Sequence, residues 1–185
     1  MVQFDPVFAT TLENEGGYAD DPRDPGRETY KGISRRFQPN WPGWRLIDGW
    51  KSYSDFRARL EADKQVQALV RDFYLALWTK YHCDQFPHQR VAAEFFDAII
   101  LPGPGPAVTF LQRALNVFNG NRKPKLVVDG NLGPLTLAAV MAVKTDADKL
   151  VRAMAIRRGE YFLNRIEENP AKSWALGGWL NRLNL

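Results

Sequence analysis

Hydrophobic residues recur along most of the chain with the three- and four-residue spacing that is typical of amphipathic helices. In the first such segment, the residues that share one face are Phe4, Phe8, Thr11 and Glu15. Asp5-Pro6 suits the beginning of this helix, because Asp can cap it and Pro fits its first turn. Gly16-Gly17 is expected to end it.

The same spacing predicts further helices, and two segments interrupt it. The predicted helices cover residues 63–81, 90–100, 107–118, 134–144, 146–168 and, near the end, 174–183. Residues 18–34 are rich in Asp, Pro and Gly and predict a small β-hairpin, whereas residues 39–50 predict an aromatic loop. The expected fold class is mainly α, with a small β-hairpin beside the first helix.

The composition indicates a chain that folds around its own hydrophobic core. Of its 185 residues 45% are hydrophobic, which is enough to fold without a metal or a disulfide. Cys83 is the single cysteine, so an internal disulfide is excluded, and its surroundings lack the spacing of a metal site. We expect no metal and no cofactor.

The net charge of +4 lies in the second half of the chain. Residues 1–90 hold 13 Lys and Arg against 13 Asp and Glu, whereas residues 91–185 hold 12 against 8. A modest basic surface suits an acidic polymer such as nucleic acid or cell wall, but the charge alone favours an ordinary solvated surface. No block of Lys and Arg is dense enough to favour nucleic acid, so we expect no nucleic-acid partner.

The N-terminus lacks a basic region followed by an apolar one, which a secretory signal peptide would have. No apolar run reaches the length of a membrane span. We therefore expect a protein that is made in the cytoplasm without a membrane anchor. We also expect a monomer.

Glu15 occupies an unusual position for an acidic residue, on the apolar face and in the last turn of the first predicted helix. Loss of solvation beside apolar surface favours the protonated carboxyl, and the negative end of the helix dipole acts in the same direction. A protonated carboxyl suits a general acid. The alternative is a carboxylate that is merely solvated at a frayed helix end.

A cluster of acidic residues follows Glu15 in the predicted hairpin, namely Asp20, Asp21 and Asp24. If the hairpin folds over the end of the first helix, it brings a second carboxylate or a hydroxyl opposite Glu15. Glycoside hydrolysis requires such a pair, with an acid on one side of the sugar and a base on the other. The alternative for each Asp is turn formation.

Several motifs in this order resemble glycoside hydrolase family 108, which contains phage-type endolysins and secretion-associated N-acetylmuramidases. The first two are Glu15-Gly16-Gly17-Tyr18 and Thr29-x-x-Gly32-Ile33. The remaining ones include Tyr74, Trp78 and Tyr81, then Phe96-Asp97-Ala98, Leu111-Gln112-Arg113-Ala114-Leu115, Asp129-Gly130-x-x-Gly133-Pro134 and Gly178-Trp179-Leu180-Asn181-Arg182. The Asp129 motif is similar to a signature of peptidoglycan-binding domains.

The resemblance implies a lysozyme-like helical fold and cleavage of peptidoglycan beside N-acetylmuramic acid. It assigns the general acid to Glu15, makes the Thr29 hydroxyl a candidate for positioning water, and leaves Asp24 as a weaker candidate base. Residues in the matching motifs, Tyr18, Tyr30, Asp97 and Asp129, are candidate contacts to the substrate. Residues 1–90 would form the catalytic part and residues 91–185 a peptidoglycan-binding part, packed together as one compact unit.

The sequence departs from the family pattern at two places. Before Thr29 the family often has Gly-Gly, where this chain has Arg27-Glu28 after Gly26. A few residues after Phe96-Asp97 the family often has Asn, where this chain has Leu101. The second departure puts a substrate contact by that Asn in doubt and leaves the assignment of Glu15 unchanged.

Two aromatic residues and one turn have two interpretations each. Trp41 and Trp44 can stack on sugar rings, or they can pack the aromatic loop. The turn that contains Asp129 can contact the peptide stems of peptidoglycan, or it can simply lead into the helix that begins at Pro134.

Three functions fit these observations, all with peptidoglycan as the partner. The first is a hydrolytic muramidase, released to the periplasm or cell wall through a holin-like pore in the case of a phage lysis protein. The second is a non-catalytic cell-wall-binding or secretion-helper protein, which the intact Glu-Gly-Gly-Tyr motif disfavours. The third is a lytic transglycosylase, which also needs one Glu but forms an anhydro product without water.

Overall fold

The computed structural model describes residues 2–21, 26–120, 125–142 and 146–183. Contacts divide the chain into two compact units. We call Phe4–Lys80 the N-terminal unit, and Tyr81–Leu185 together with Met1–Gln3 the C-terminal unit. The division lies at residue 80, ten residues before the predicted boundary at residue 90.

In the N-terminal unit, helices surround a small antiparallel sheet of three strands in the order β1-β2-β3. The helices are α1 (Phe4–Asn14), α2 (Gly43–Trp50), α3 (Phe56–Ala62) and α4 (Lys64–Lys80), and the strands are β1 (Tyr18–Asp20), β2 (Glu28–Tyr30) and β3 (Ile33–Ser34). Tyr30 pairs with Tyr18 on one side and with Ile33 on the other. The predicted hairpin is therefore a three-stranded sheet.

Helix α1 packs on α4 through aromatic side chains. The ring centroids of Phe4 and Trp78 lie 5.7 Å apart, as do those of Phe8 and Tyr74. Such aromatic pairs stabilise a core beyond the area that they bury. The predicted apolar face of the first helix is therefore the face that contacts α4.

Residues 43–50 form helix α2, so the prediction of a loop over residues 39–50 is wrong for that part. Trp44 and Ile47 are buried three residues apart on this helix, which is amphipathic. Trp41 is also buried, with its ring 5.1 Å from that of Trp44 and 6.4 Å from that of Tyr30. Glycine and proline in this short segment conceal a helix that tertiary packing stabilises.

The C-terminal unit consists of helices and short 3₁₀ turns. The α-helices are α5 (Gln89–Ile100), α6 (Pro104–Asn119), α7 (Pro134–Ala142), α8 (Ala147–Glu168) and α9 (Leu176–Asn181), and the 3₁₀ turns are Cys83–Gln85 and Pro170–Ala175. Helices α5, α6 and α8 pack on one another around fully buried side chains such as Phe95, Leu111 and Met154. Helix α6 begins three residues before its predicted start, because proline is compatible with the first helical turn.

The expectation of a mainly α, lysozyme-like fold with a small sheet is thus confirmed. Helices in the described part of the chain do not combine the length and the apolar character that a membrane span requires.

Candidate active site

Glu15 directly follows the last residue of α1 and is partly exposed. Its backbone N–H donates to the carbonyl oxygens of Thr11 at 3.1 Å and Leu12 at 3.3 Å, so the helical hydrogen bonding continues to this residue. Thr11 is buried and donates its hydroxyl to the Val7 carbonyl at 2.9 Å. The backbone that carries Glu15 is therefore anchored to the packed face of α1.

The carboxylate of Glu15 lies against the turn between β2 and β3. A Cβ atom placed on Gly32 would lie 2.5 Å from Oε2 of Glu15 and 2.6 Å from the hydroxyl of Tyr74. Gly32 also has a φ of +74°, which side chains with a Cβ rarely adopt. The Gly in Thr29-x-x-Gly32-Ile33 is thus required twice, by the turn and by the close approach of Glu15.

Tyr74 of α4 holds this turn in place. Its hydroxyl donates a 2.7 Å hydrogen bond to the carbonyl oxygen of Lys31, while its ring is buried. Lys31 itself has a φ of +43°, so both residues of the turn are in the left-handed region. Tyr74, Gly32 and Glu15 therefore converge from three elements on one partly exposed carboxylate, which can deliver a proton to a bound substrate.

Thr29 occupies the centre of β2, where it pairs with Ala19 and Ser34. Its hydroxyl donates a 3.2 Å hydrogen bond to the carbonyl oxygen of Arg27. Arg27 has a φ of +57°. The bond satisfies a local backbone group, which is a structural role. The hydroxyl oxygen can still accept a hydrogen bond from water. Asp24, the other candidate, lies outside the described residues.

Glu28, which replaces the second glycine of the family pattern, is the centre of an ionic cluster. Its carboxylate contacts Arg35 Nε at 2.7 Å and Lys51 Nζ at 2.6 Å, and it accepts a 3.1 Å hydrogen bond from the Tyr18 hydroxyl. The pKa of Tyr18 is raised above its ordinary value, mainly by burial and also by the hydrogen bond to Glu28. Tyr18 is therefore fixed by protein contacts, with its ring packed edge-on against Phe56.

A second cluster joins the turn after β2 to α3 and α4 beside the Glu-Gly-Gly-Tyr motif. Lys31 Nζ lies 2.7 Å from Glu61 and 2.9 Å from the Gln67 amide oxygen. Glu61 Oε1 is also within 3.6 Å of the position that a Cβ on Gly17 would occupy. Glu61 thus places a carboxylate beside the motif. The sequence analysis did not identify Glu61, because helix α3 was not predicted.

Burial determines the role of the other aromatic candidates. Tyr30, Trp41 and Trp44 are at most 8% exposed, which leaves no ring face for a sugar in this structure. The Tyr30 hydroxyl donates to the carbonyl oxygen of Leu60 and accepts from Gln67, and burial raises its pKa. These contacts favour packing over sugar stacking for all three residues.

Asp97 lies in the C-terminal unit and contacts Arg182, which is 85 residues away in the sequence. Its carboxylate pairs with Arg158, which is fully buried, and with Arg182 Nη2 at 2.6 Å. Arg158 also contacts the buried Glu94 at 3.3 Å. The Phe96-Asp97-Ala98 and Gly178–Arg182 motifs therefore meet in an ion pair that holds the C-terminal segment, which favours a structural role for Asp97.

Asp129 organises the turn before α7. Its carboxylate accepts hydrogen bonds from the Gln112 amide at 2.8 Å and the Asn131 backbone N–H at 2.9 Å. The bond from Gln112 is the main cause that lowers the pKa of Asp129. Gln112 in turn accepts from the backbone N–H groups of Asp129 and Gly130. These hydrogen bonds stabilise the turn itself. They favour the interpretation in which the motif simply leads into the helix that begins at Pro134.

Comparison with known proteins gives two family matches and a similar solved structure. A family model described as glycosyl hydrolase 108 matches residues 8–103, and one described as predicted peptidoglycan domain matches residues 106–184. The structure of Brucella abortus SagA is 26% identical in sequence and superposes with a TM-score of 0.61, covering 96% of this chain and 90% of that one. Among curated proteins, no match to the chain was found.

Proposed function

Since the chain belongs to the glycosyl hydrolase 108 family, we propose that it is an N-acetylmuramidase that uses Glu15 as its general acid. The two family matches confirm the resemblance that the motifs indicated and make the chain a peptidoglycan hydrolase. We propose two further points, namely which glycosidic bond is cut and that Glu15 delivers the proton.

The observation that carries the proposal is the position of the Glu15 carboxylate. Glu15 lies within the matched segment and is partly exposed. Its carboxylate lies so close to the turn between β2 and β3 that a Cβ at position 32 would overlap it. Two consecutive residues in the left-handed region, Lys31 and Gly32, are typical of a two-residue hairpin turn. Because Gly32 carries no Cβ, the Glu15 carboxylate can pack directly against this turn.

In the proposed reaction Glu15 transfers its proton to the glycosidic oxygen as the bond from that oxygen to the anomeric carbon of N-acetylmuramic acid breaks. A water molecule adds its oxygen to the anomeric carbon and gives its proton to a base. Thr29 is the proposed water-positioning residue and Asp24 the proposed base. The products are a reducing N-acetylmuramic acid end and a free hydroxyl on the neighbouring sugar.

Mass spectrometry of purified peptidoglycan digested with the wild-type chain and with Glu15→Gln tests the proposal. We expect reducing N-acetylmuramic acid ends from the wild type and a rate at least about a hundredfold lower from the variant, because Gln keeps the size but lacks the proton. Anhydro-muramic ends would identify a lytic transglycosylase. Unchanged glycan with tight binding would identify a non-catalytic cell-wall protein.

A matched control for this experiment is Glu13→Gln. Glu13 lies two residues earlier on α1 and is exposed, so the substitution removes the same charge from the same helix. We expect Glu13→Gln to digest at the wild-type rate. Equal rates for both variants and the wild type would exclude Glu15 as the acid. Because peptidoglycan lies outside the inner membrane, the proposal includes release of the chain to the periplasm or cell wall.

A further inference from the structure

A groove between α6 and α8 of the C-terminal unit carries chemistry that the proposed active site does not use. Its lining includes Phe110 and Arg113 from α6, and Arg157, Tyr161 and Asn164 from α8. These positions recur every three or four residues, so each helix presents one face to the groove. The groove lies entirely within residues 106–184, which match the predicted peptidoglycan domain.

The volume of the groove, about 190 Å³, limits what it can hold. Pockets for drug-sized ligands have volumes of roughly 300–1,000 Å³. The groove therefore suits part of a short peptide rather than several sugar rings.

Charge distinguishes the two arginines of the groove. Arg157 lies 3.0 Å from Glu160, which also lines the groove, so this pair is neutral. Arg113 is exposed and makes no ion pair or hydrogen bond with the residues that the structure describes. Its guanidinium is thus available to a carboxylate, which it can bind through two parallel hydrogen bonds.

The floor of the groove is apolar. Phe110 is buried, and its ring packs edge-on against that of Tyr161, with centroids 5.7 Å apart. The Tyr161 hydroxyl accepts a 3.1 Å hydrogen bond from Arg165. Asn164, which is exposed, offers an amide that can both donate to and accept from a peptide backbone.

We propose that this groove binds the peptide stem of peptidoglycan, with Arg113 contacting a free carboxylate of the stem; this rests on the proposed function, which supplies the substrate. Peptide stems combine backbone amides, short apolar side chains and free carboxylates. The groove matches these with Asn164, the floor of Phe110 and Tyr161, and Arg113. The net positive charge of residues 91–185 attracts the same anionic ligand.

Calorimetric titration of the Glu15→Gln chain tests the inference without turnover. The ligands are a disaccharide–tetrapeptide released from peptidoglycan, the same compound with its carboxyl groups converted to amides, and the disaccharide without peptide. We expect the first to bind most tightly, with an affinity that falls as salt is added. Adding Arg113→Ala should weaken its binding about fivefold, as loss of an exposed ion pair does, and Arg113→Glu more than that.

Arg152→Ala is the matched control, because Arg152 is an exposed arginine of α8 that does not line the groove. It removes the same charge and should leave binding unchanged. If both variants lose the same amount of affinity, the effect comes from the overall charge of the chain and the inference is overturned. Equal affinity for the acid and amide ligands would overturn it too. Because binding is measured apart from product analysis, failure here is distinct from failure of the muramidase proposal.

Discussion

Glu15 in the N-terminal unit and Asp97 in the C-terminal unit are acidic side chains with opposite surroundings. In the N-terminal unit, Glu15 is partly exposed at the end of a helix, and its neighbours include the backbone of Gly32 and the hydroxyl of Tyr74. In the C-terminal unit, Asp97 is paired with two arginines, one of them fully buried. The first carboxylate lies at a turn near solvent, whereas the second is paired with two guanidinium groups and stabilises the fold. Both lie in motifs of the same family, so a motif alone does not distinguish chemistry from architecture.

The largest effect that would test this comparison is expected from Gly32→Ala. The new Cβ would overlap the Glu15 carboxylate and the Tyr74 hydroxyl, and the φ of +74° adds about 1 kcal/mol of strain. We expect glycan hydrolysis to fall at least about a hundredfold, since displacing a general acid costs about as much as removing it.

Gly49→Ala is the control for that variant. Gly49 lies in α2, where a Cβ meets nothing within 4 Å, so alanine should raise helix stability slightly and leave activity unchanged. Activity of Gly32→Ala near the wild-type rate would show that the carboxylate does not depend on this turn.

In the C-terminal unit, Asp97→Ala should reduce the free energy of unfolding by about 3 kcal/mol, because it leaves the buried Arg158 without one of its partners. Urea unfolding followed by circular dichroism measures this change. Glu168→Ala removes an exposed partner of Arg165 and should cost less than about 0.5 kcal/mol. A stable Asp97→Ala variant that no longer binds peptidoglycan would instead make Asp97 a substrate contact.

Thr29→Val separates the two roles that remain for the Thr29 hydroxyl. Loss of the 3.2 Å bond to Arg27 should cost about 1 kcal/mol, so the variant should melt within a few degrees of the wild type. If Thr29 positions water, most of the activity is lost at this nearly unchanged melting temperature. Thr10→Val, which removes a similar bond to Pro6 on α1, should retain activity. A modest, parallel loss of activity and stability would make Thr29 structural and strengthen Asp24 as the candidate.

The smallest effect concerns the pH dependence of stability. A hydrogen bond from Arg35 is the main cause that lowers the pKa of Asp48 below its ordinary value of 3.8. A lowered folded-state pKa stabilises the fold above pH 3.8, and that stabilisation is lost as the pH falls below it towards the folded-state pKa. Because Asp48 is half exposed, we expect less than about 1 kcal/mol. Stability curves for the wild type and Asp48→Asn between pH 2 and 6 should converge at low pH; a constant difference would exclude this linkage.

Local sequence patterns determined a large part of this protein. Helical spacing predicted α1, α4, α5, α6 and α8 within a few residues of their ends, because a sustained apolar face requires a helix whatever it packs against. The motif order identified the family, and the position of Glu15 at the end of α1 follows from Gly16-Gly17.

Tertiary structure decided the features that depend on residues far apart in the chain. Glycine and proline concealed the amphipathic spacing of α2, α3 is short, and packing buries Trp44 of α2 and Leu60 of α3. The pairing of Asp97 with Arg182 and the approach of Gly32 to Glu15 join segments that no local spacing relates. Helical periodicity reports which face of an element is buried, but the identity of the group that covers it, and hence the role of a carboxylate on that face, depends on the folded chain.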